Sequence, residues 1–249
     1  MTDVLPAGFD DQIVGAIRFF WLNRSSGSDG QEGSRGNVIG GKNMDGFLAL
    51  VRNVALHCGL PASAVYTQGK TDLTLPGYYR PVKNWDAVIV HQGRFLAALE
   101  FKSQVGSFGN NFNNRAEEAI GNASDLWAAW QNGAFHPERH RRNPAQAHNP
   151  RRPFVGYLML LEDCPGSTRP IKAEAGQYPV FPEFEDTSYA ERYRFLCERL
   201  IEQGLYQVAA LALSPADRGR SEGLNRALTP ATSVRELFSD LAWRLMQPG

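Results

Sequence analysis

Two apolar segments, residues 155–161 and 208–213, most constrain the fold of this chain. Each is a continuous apolar run, which is the pattern of a strand buried on both faces of its sheet. Such a sheet must be covered by further layers, so helices are expected around these runs. The sequence therefore predicts an α/β protein.

The rest of the hydrophobic pattern agrees with this class. Apolar residues recur at helical spacing in five segments, which are residues 9–21, 45–58, 114–131, 189–204 and 234–246. Residues 86–91 and 94–102 predict two strands, joined by a hairpin turn at Gln92 and Gly93. The expected architecture is a mixed β-sheet flanked by helices. Since single cores stop growing at ~250–300 residues, residues 1–249 are expected to form one domain.

Composition argues against several classes of protein. No apolar run approaches the ~20 residues of a membrane helix. Residues 1–6 lack the basic start and apolar core of a secretion signal. The three cysteines are widely spaced and form no C-x-x-C pair, which favours a reducing cytoplasm over a disulfide framework or a zinc site. The net charge is zero, but only five of the 26 basic residues are Lys. Arginine suits phosphates and guanine edges, although a GC-rich genome also explains the bias.

Three charged residues lie at the ends of the apolar hairpin strands: Asp86, Glu100 and Lys102. Glu100 and Lys102 are two apart, so both side chains leave the same face of a strand. A two-residue turn pairs Asp86 with Leu99 and sends the Asp86 side chain to the other face. A bulge shifts the register by one and pairs Asp86 with Glu100. We predict either that shift or an Asp86 just past the strand end; widely separated carboxylates would exclude a shared site.

An Asp and a Glu that converge beside a Lys suit a hard divalent cation, most plausibly Mg²⁺. The cation would polarise a phosphoryl oxygen and stabilise the leaving alkoxide. Lys102 would orient or deprotonate the attacking water, or neutralise charge on the phosphorus centre. The alternative is a surface hairpin with an ordinary Glu–Lys pair. Because this spacing occurs by chance in many proteins, the alternative has more weight on these three residues alone.

Longer motifs resemble a known family. Asn84-Trp85-Asp86 followed by Glu100-Phe101-Lys102 resembles the PD-(D/E)xK nuclease signature, with Trp85 where Pro is usual. Residues 100–121 and residues 40–47, Gly-Gly-Lys-Asn-Met-Asp-Gly-Phe, are similar to the XhoI family of type II restriction endonucleases. The similarity extends over nearly the whole chain.

The resemblance implies a restriction-endonuclease-like core and a Mg²⁺-dependent enzyme of a restriction–modification system. It implies cleavage of both strands of double-stranded DNA at the palindrome CTCGAG, with 5′-phosphate ends. By the same resemblance, Asp86 and Glu100 are the metal ligands and Lys102 is the catalytic lysine. A two-fold site implies a homodimer, and protection of the host implies a cognate DNA methyltransferase.

Three polar segments, near residues 25–42, 103–115 and 136–152, are expected to be loops that contact DNA. Asn amides pair with adenine and Arg with guanine. The assigned residues are Lys42, Asn110, Asn111, Asn113, Asn114, Arg115, Arg139, Arg141 and Arg142. For any single Asn, a role in an Asn-rich capping loop has at least the same weight as a DNA contact. For the arginine cluster, a solvated basic face has about the same weight as a DNA contact.

Two further residues are candidates for catalytic support. Gln104 shares the strand face of Lys102 if the strand persists, and would orient the water or a phosphate, or solvate the strand end. Asp45 is a candidate for an additional acid from an N-terminal helix, although N-capping of that helix explains it more simply.

Two other functions remain open. A structure-specific or repair nuclease on the same core would use the same three residues without a fixed cut position. A non-catalytic DNA-binding protein would bind without cleavage, its affinity falling with salt according to its phosphate contacts. The sequence contains no helix-turn-helix or zinc-finger signature that would favour the latter.

Overall fold

The computed structural model describes residues 4–26, 43–135, 151–173 and 176–247. Its helices are α1 Phe9–Ser26, α2 Asp45–His57, α3 Phe108–Gln131, α4 Pro165–Thr168, α5 Tyr189–Glu202, α6 Ala216–Glu222 and α7 Val234–Met246. Its strands are β1 Val65–Tyr66, β2 Thr74–Pro76, β3 Val82–Asn84, β4 Ala87–His91, β5 Arg94–Gln104, β6 Phe154–Glu162 and β7 Val208–Ser214. Single turns of 3₁₀ helix occupy Ala62–Ala64, Pro182–Phe184 and Pro230–Thr232.

The main sheet has five strands in the order β1-β4-β5-β6-β7. The pairs on the β1 side are antiparallel, and β5, β6 and β7 run parallel to one another. A separate hairpin of β2 and β3 stands beside this sheet. The predicted mixed sheet and the α/β class are confirmed.

The sheet is covered on both faces. One core cluster joins it to α1, α2 and α7, with Phe47 of α2 against Phe101 of β5. The other joins it to α3 and α5, around Trp127, Tyr157 and Tyr193. Strand β7 is buried throughout and β6 at every position but its last. The two apolar runs are therefore the central strands that their pattern predicts.

The hairpin of β4 and β5 contains the predicted register shift. His91 pairs with Arg94 across a two-residue turn, but Ala87 pairs with Leu99 because the register shifts by one between Ile89 and Val90. The same register, continued one residue beyond β4, sets Asp86 opposite Glu100. Both predicted conditions hold, since Asp86 also lies just before the first residue of β4.

The Asn-rich segment before residue 114 is helical, so the prediction of a loop there was wrong. Helix α3 begins at Phe108, six residues earlier than predicted. Asn has low helix propensity, but two aromatic side chains anchor the extension. The ring of Phe108 stacks on Tyr189 at 6.1 Å, and that of Phe112 meets Tyr193 edge-on at 5.0 Å. Packing against α5 thus outweighs local preference.

The other boundaries differ little from those expected. Helix α1 continues five residues past its predicted end, whereas α2 and α5 stop one and two residues short. Helix α7 has the predicted bounds, and the short strands β1, β2 and β3 were not predicted. Within the described ranges, no helix combines the length and the apolarity needed to cross a membrane.

Two helical glycines predict opposite effects on stability. A Cβ at Gly46 of α2 would lie 2.8 Å from the Cα of Ala16 in α1, whereas nothing lies within 4 Å of a Cβ at Gly15. We expect Gly46→Ala to lower the free energy of unfolding by about 1–3 kcal/mol through overpacking. Gly15→Ala should raise it by about 0.5–1 kcal/mol. Urea denaturation measures both; equal stability of the two variants would contradict the close helix contact.

Candidate active site

The three charged residues of the hairpin converge on the sheet face that packs against α3. Lys102 Nζ lies 2.6 Å from Glu100 Oε1. The backbone N–H of Phe101, which lies between them, donates to Asp86 Oδ2 at 2.7 Å. The β4–β5 hairpin and its register shift therefore hold two carboxylates and an ammonium group together.

Glu100 is almost completely buried, with 2 % of its surface exposed, and a second lysine balances its charge. Lys83 of β3 places Nζ 2.8 Å from Glu100 Oε2. The same ammonium donates to the carbonyl oxygen of Asn84 and lies 5.1 Å from the ring centre of Trp85. A carboxylate at this depth is tolerated because each of its oxygens has a cationic partner.

Sequence reasoning missed Lys83. The available signal was its position, three residues before Asp86, combined with the scarcity of lysine in this chain. Lys83 lies on β3, which pairs with β2, and both strands are too short to be predicted by pattern.

The electrostatics of the pocket oppose a negative charge on Asp86. Burial and then the nearby Glu100 raise the pKa of Asp86 to about 6, against the N–H of Phe101 and the two lysines, which lower it. Burial lowers the pKa of Lys102, but Glu100, Asp86 and Glu118 outweigh it and the net shift is upward. The pocket thus keeps Lys102 as a cation and leaves its two adjacent carboxylates under mutual repulsion.

Helix α3 contributes a stripe of polar side chains to the site. Its members are spaced three, four and three apart, so they share one face of the helix: Arg115, Glu118, Asn122 and Asp125. Glu118 Oε2 lies 3.8 Å from Lys102 Nζ, and Asn122 Nδ2 donates to Glu100 Oε1 at 3.5 Å. This spacing was the signal that could have identified Glu118, Asn122 and Asp125.

Asp125 fastens the loop between β2 and β3 to α3. Its buried carboxylate accepts the backbone N–H groups of Tyr78 and Tyr79 at 2.7 and 2.8 Å, and Arg80 Nε at 2.8 Å. Burial raises the pKa of Asp125, but these donors outweigh it and the net shift is downward. Arg80 Nη2 also donates to Asn122 Oδ1 at 2.8 Å. Hydrogen bonds therefore connect the loop to Glu100 through Asn122.

The two candidates for catalytic support, Gln104 and Asp45, lie on opposite faces of the sheet. Strand β5 persists through Gln104, so this residue lies on the face of Lys102, as predicted. Its side-chain amide donates to the carbonyl oxygen of Gly106 and ties down the strand end. Asp45 is exposed and begins α2, which packs on the opposite face of the sheet. The N-cap is Met44, so the capping explanation for Asp45 was wrong.

The assigned DNA contacts on α3 lie in its first turns rather than in a loop. Asn110, Asn113 and Asn114 are exposed there, and Asn111 Nδ2 donates to the carbonyl oxygen of Ser107 at 2.9 Å. Arg115 pairs with Glu118 at 2.6 Å. The other assigned residues lie outside the described ranges: Lys42, Arg139, Arg141 and Arg142.

The last two arginines of the 136–152 segment, Arg151 and Arg152, contact other residues of the same chain. Arg152 stacks 3.7 Å above the ring of Trp127 and donates to the carbonyl oxygen of Gly204. Arg151 donates to the carbonyl oxygen of Gln247 at 3.4 Å. These two arginines have structural contacts, and the rest of the 136–152 segment lies outside the description. The same holds for residues 27–42 of the first expected loop, whereas residues 25–26 end α1.

The donor set fits a hard divalent cation. In the described part of the chain, no group of three or more His, Cys, Asp and Glu side chains is arranged to hold a metal. Asp86 and Glu100, at facing positions of one hairpin, would instead supply the carboxylate oxygens, and water or substrate oxygens would complete the shell. A cation at Glu100 Oε2 would have to replace Lys83.

Comparison with known proteins identifies the family. The family described as Restriction endonuclease XhoI matches residues 23–225, more than half of the chain. The chain belongs to the XhoI restriction endonuclease family. The matched segment contains the site and α3, and it omits α7 and most of α1.

Curated relatives of this XhoI-family chain are type II restriction enzymes. XhoI of Xanthomonas vasicola is 44% identical over 80% of this chain and 78% of its own. BstVI of Geobacillus stearothermophilus is 42% identical over 79% of this chain and 83% of its own. AbrI of Azospirillum brasilense is 45% identical over 66% and 71%, respectively. No solved structure matches the chain.

The contacts of Asp125 predict a large effect on stability. Asp125→Ala leaves two backbone N–H groups and Arg80 without their acceptor, so we expect the free energy of unfolding to fall by about 2–4 kcal/mol. Asp125→Asn keeps an acceptor oxygen for Tyr78 and Tyr79, and its loss should be smaller. Urea denaturation of both variants tests this; an alanine variant as stable as the wild type would refute the role of Asp125.

Proposed function

We propose that this chain is a Mg²⁺-dependent type II restriction endonuclease that hydrolyses both strands of double-stranded DNA at CTCGAG and leaves 5′-phosphate ends. The observation that most directly supports phosphodiester hydrolysis is that Asp86 and Glu100 face each other while Lys102 forms an ion pair with Glu100. The family, and the type II restriction enzymes among its relatives, support the type II class. The target sequence rests on the resemblance to the family alone.

Asp86 and Glu100 would hold the cation. When bound, Mg²⁺ supplies Lewis-acid stabilisation of the phosphoryl oxygen and the leaving alkoxide. The N–H of Phe101 orients the Asp86 carboxylate toward Glu100. Lys102, an ammonium group between Glu100 and Glu118, would donate to the attacking water or to a phosphate oxygen and offset the charge that develops on the phosphate.

Lys83 balances Glu100 while no cation is bound. Its ammonium holds Oε2, the oxygen that faces away from Lys102. This ion pair avoids the cost of an unpaired buried charge. With Mg²⁺ held by Asp86 and Glu100, Lys83 would be a second ammonium group beside the phosphate.

Two partners follow from the proposed activity. A palindromic site has two-fold symmetry, so a homodimer would present one active site to each strand. A cognate DNA methyltransferase would protect the sites of the host, and both proteins would act on DNA in the cytoplasm.

Digestion of a plasmid of known sequence tests this function. Purified protein with Mg²⁺ is expected to yield discrete fragments that end at CTCGAG, and none in EDTA. Cuts at another fixed sequence would keep the class and reject the target. A smear would favour a repair or structure-specific nuclease. Intact plasmid that shifts on a gel would mean a DNA-binding protein whose hairpin charges are structural.

Replacement of Lys102 separates binding from catalysis. Lys102→Ala should lower the cleavage rate by about 100-fold or more, because a donor to the transition state is lost, while site-specific binding is kept. Lys172→Ala, at an exposed position, is the matched control and should cleave as the wild type does. Nicking by the Lys102 variant at the wild-type rate would show that this lysine is structural.

Two variants, one of Glu100 and one of its partner Lys83, test the cation site by metal binding rather than by cleavage. Glu100→Gln removes a ligand charge and should weaken Mn²⁺ binding by about tenfold or more, whereas Lys83→Met removes a competing ammonium and should strengthen it. Isothermal titration calorimetry without DNA measures both affinities. Unchanged Mn²⁺ affinity in the Glu100 variant would remove this residue from the cation site.

A further inference from the structure

Two adjacent tyrosines at the tip of the β2–β3 hairpin have no role in the site described above. Tyr78 and Tyr79 are 54% and 76% exposed, and their rings meet edge-on at 5.1 Å. Val82, the first residue of β3, is also 54% exposed. Aromatic rings exposed as a group on a soluble protein mark an interaction surface more often than isolated apolar residues do.

The loop that presents these tyrosines is held rigidly. The Asp125 carboxylate accepts both tyrosine N–H groups, and a Cβ at Gly77 would lie 2.5 Å from Asp125 Oδ2 and 2.6 Å from the carbonyl oxygen of Arg80. Only glycine fits this position. A buried carboxylate therefore fixes an exposed aromatic pair, which lowers the conformational entropy that a binding partner would have to remove.

The same loop is tied to the candidate active site from two directions. Arg80 reaches Glu100 through Asn122, with hydrogen bonds of 2.8 and 3.5 Å. Strand β3, which follows the loop, places Lys83 on Glu100 at 2.8 Å. The hairpin that presents the tyrosines is therefore connected directly to the residues around Glu100.

We propose that Tyr78 and Tyr79 form a rigid DNA-contacting element that packs its rings against sugars and bases beside the scissile phosphate. This inference rests on the proposed function, which brings a duplex to Glu100. Aromatic rings gain contact area with sugars and bases of any sequence. Arg80, the next residue of the same loop, adds a guanidinium group that is 42% exposed beside its partner Asp125. The element would position the duplex and thereby raise the affinity of the enzyme for its site.

The test uses a full-length double variant, Tyr78→Ala with Tyr79→Ala. Its affinity is measured by fluorescence anisotropy in EDTA, with a labelled duplex that contains the site where the wild type cuts the plasmid. We expect binding about tenfold or more weaker, because aromatic contacts are lost. The salt dependence should be unchanged, because no charge is removed.

Two control variants make the result specific. Trp243→Ala removes an aromatic side chain that is 59% exposed on α7, on the opposite side of the sheet, and should bind DNA as the wild type does. The double replacement of Tyr78 and Tyr79 by Phe keeps the ring area and should retain affinity. Equal losses in the Phe and Ala variants would overturn a contact made by the rings.

The outcomes separate this inference from the proposed function. If the wild type cuts at a fixed site and the Ala variant binds that site equally well, the tyrosine contact is refuted and the function stands. If the wild type neither binds nor cuts any duplex, both are refuted. If the Ala variant changes from dimer to monomer in sedimentation without DNA, the patch is a contact between two copies of the chain and the inference fails.

Discussion

The buried charge of Glu100 is the constraint on which the site depends. A carboxylate with 2 % of its surface exposed cannot remain ionised in the middle of a sheet without partners. Lys102 supplies one from the same strand, Lys83 another from β3, and Asn122 a weaker one from α3. Three separate elements of the fold, β5, β3 and α3, are thus brought together around one carboxylate.

Asp86 adds a second buried carboxylate, whose negative charge Glu100 opposes. The register shift in the β4–β5 hairpin sets this second carboxylate opposite Glu100, and burial together with that neighbour raises the pKa of Asp86 to about 6. A carboxylate whose pKa is raised by burial and a neighbouring charge is typical of functional sites. In a member of a restriction endonuclease family, repulsion between Asp86 and Glu100 agrees with the proposal that the two carboxylates receive a cation.

Helix α3 connects the parts of the site. Small residues such as Ala119 and Ala123 let it lie close to the sheet, while its polar stripe contacts Lys102, Glu100 and the β2–β3 loop in turn. One helix therefore contacts both the candidate active site and the loop that carries the exposed tyrosines. Because the helix is anchored by aromatic packing against α5, this arrangement depends on the whole layer rather than on local sequence.

The sequence by itself determined the central strands and helix α7, because each depends on periodicity, and it singled out Asp86, Glu100 and Lys102 as candidate site residues. It also reduced the position of Asp86 to two geometries, both of which are met. Only the tertiary structure decided that Lys83 reaches Glu100, that α3 begins at Phe108 and that Asp45 faces away from the site. These outcomes depend on packing between segments distant in sequence, whose energies outweigh the local preferences that a pattern records.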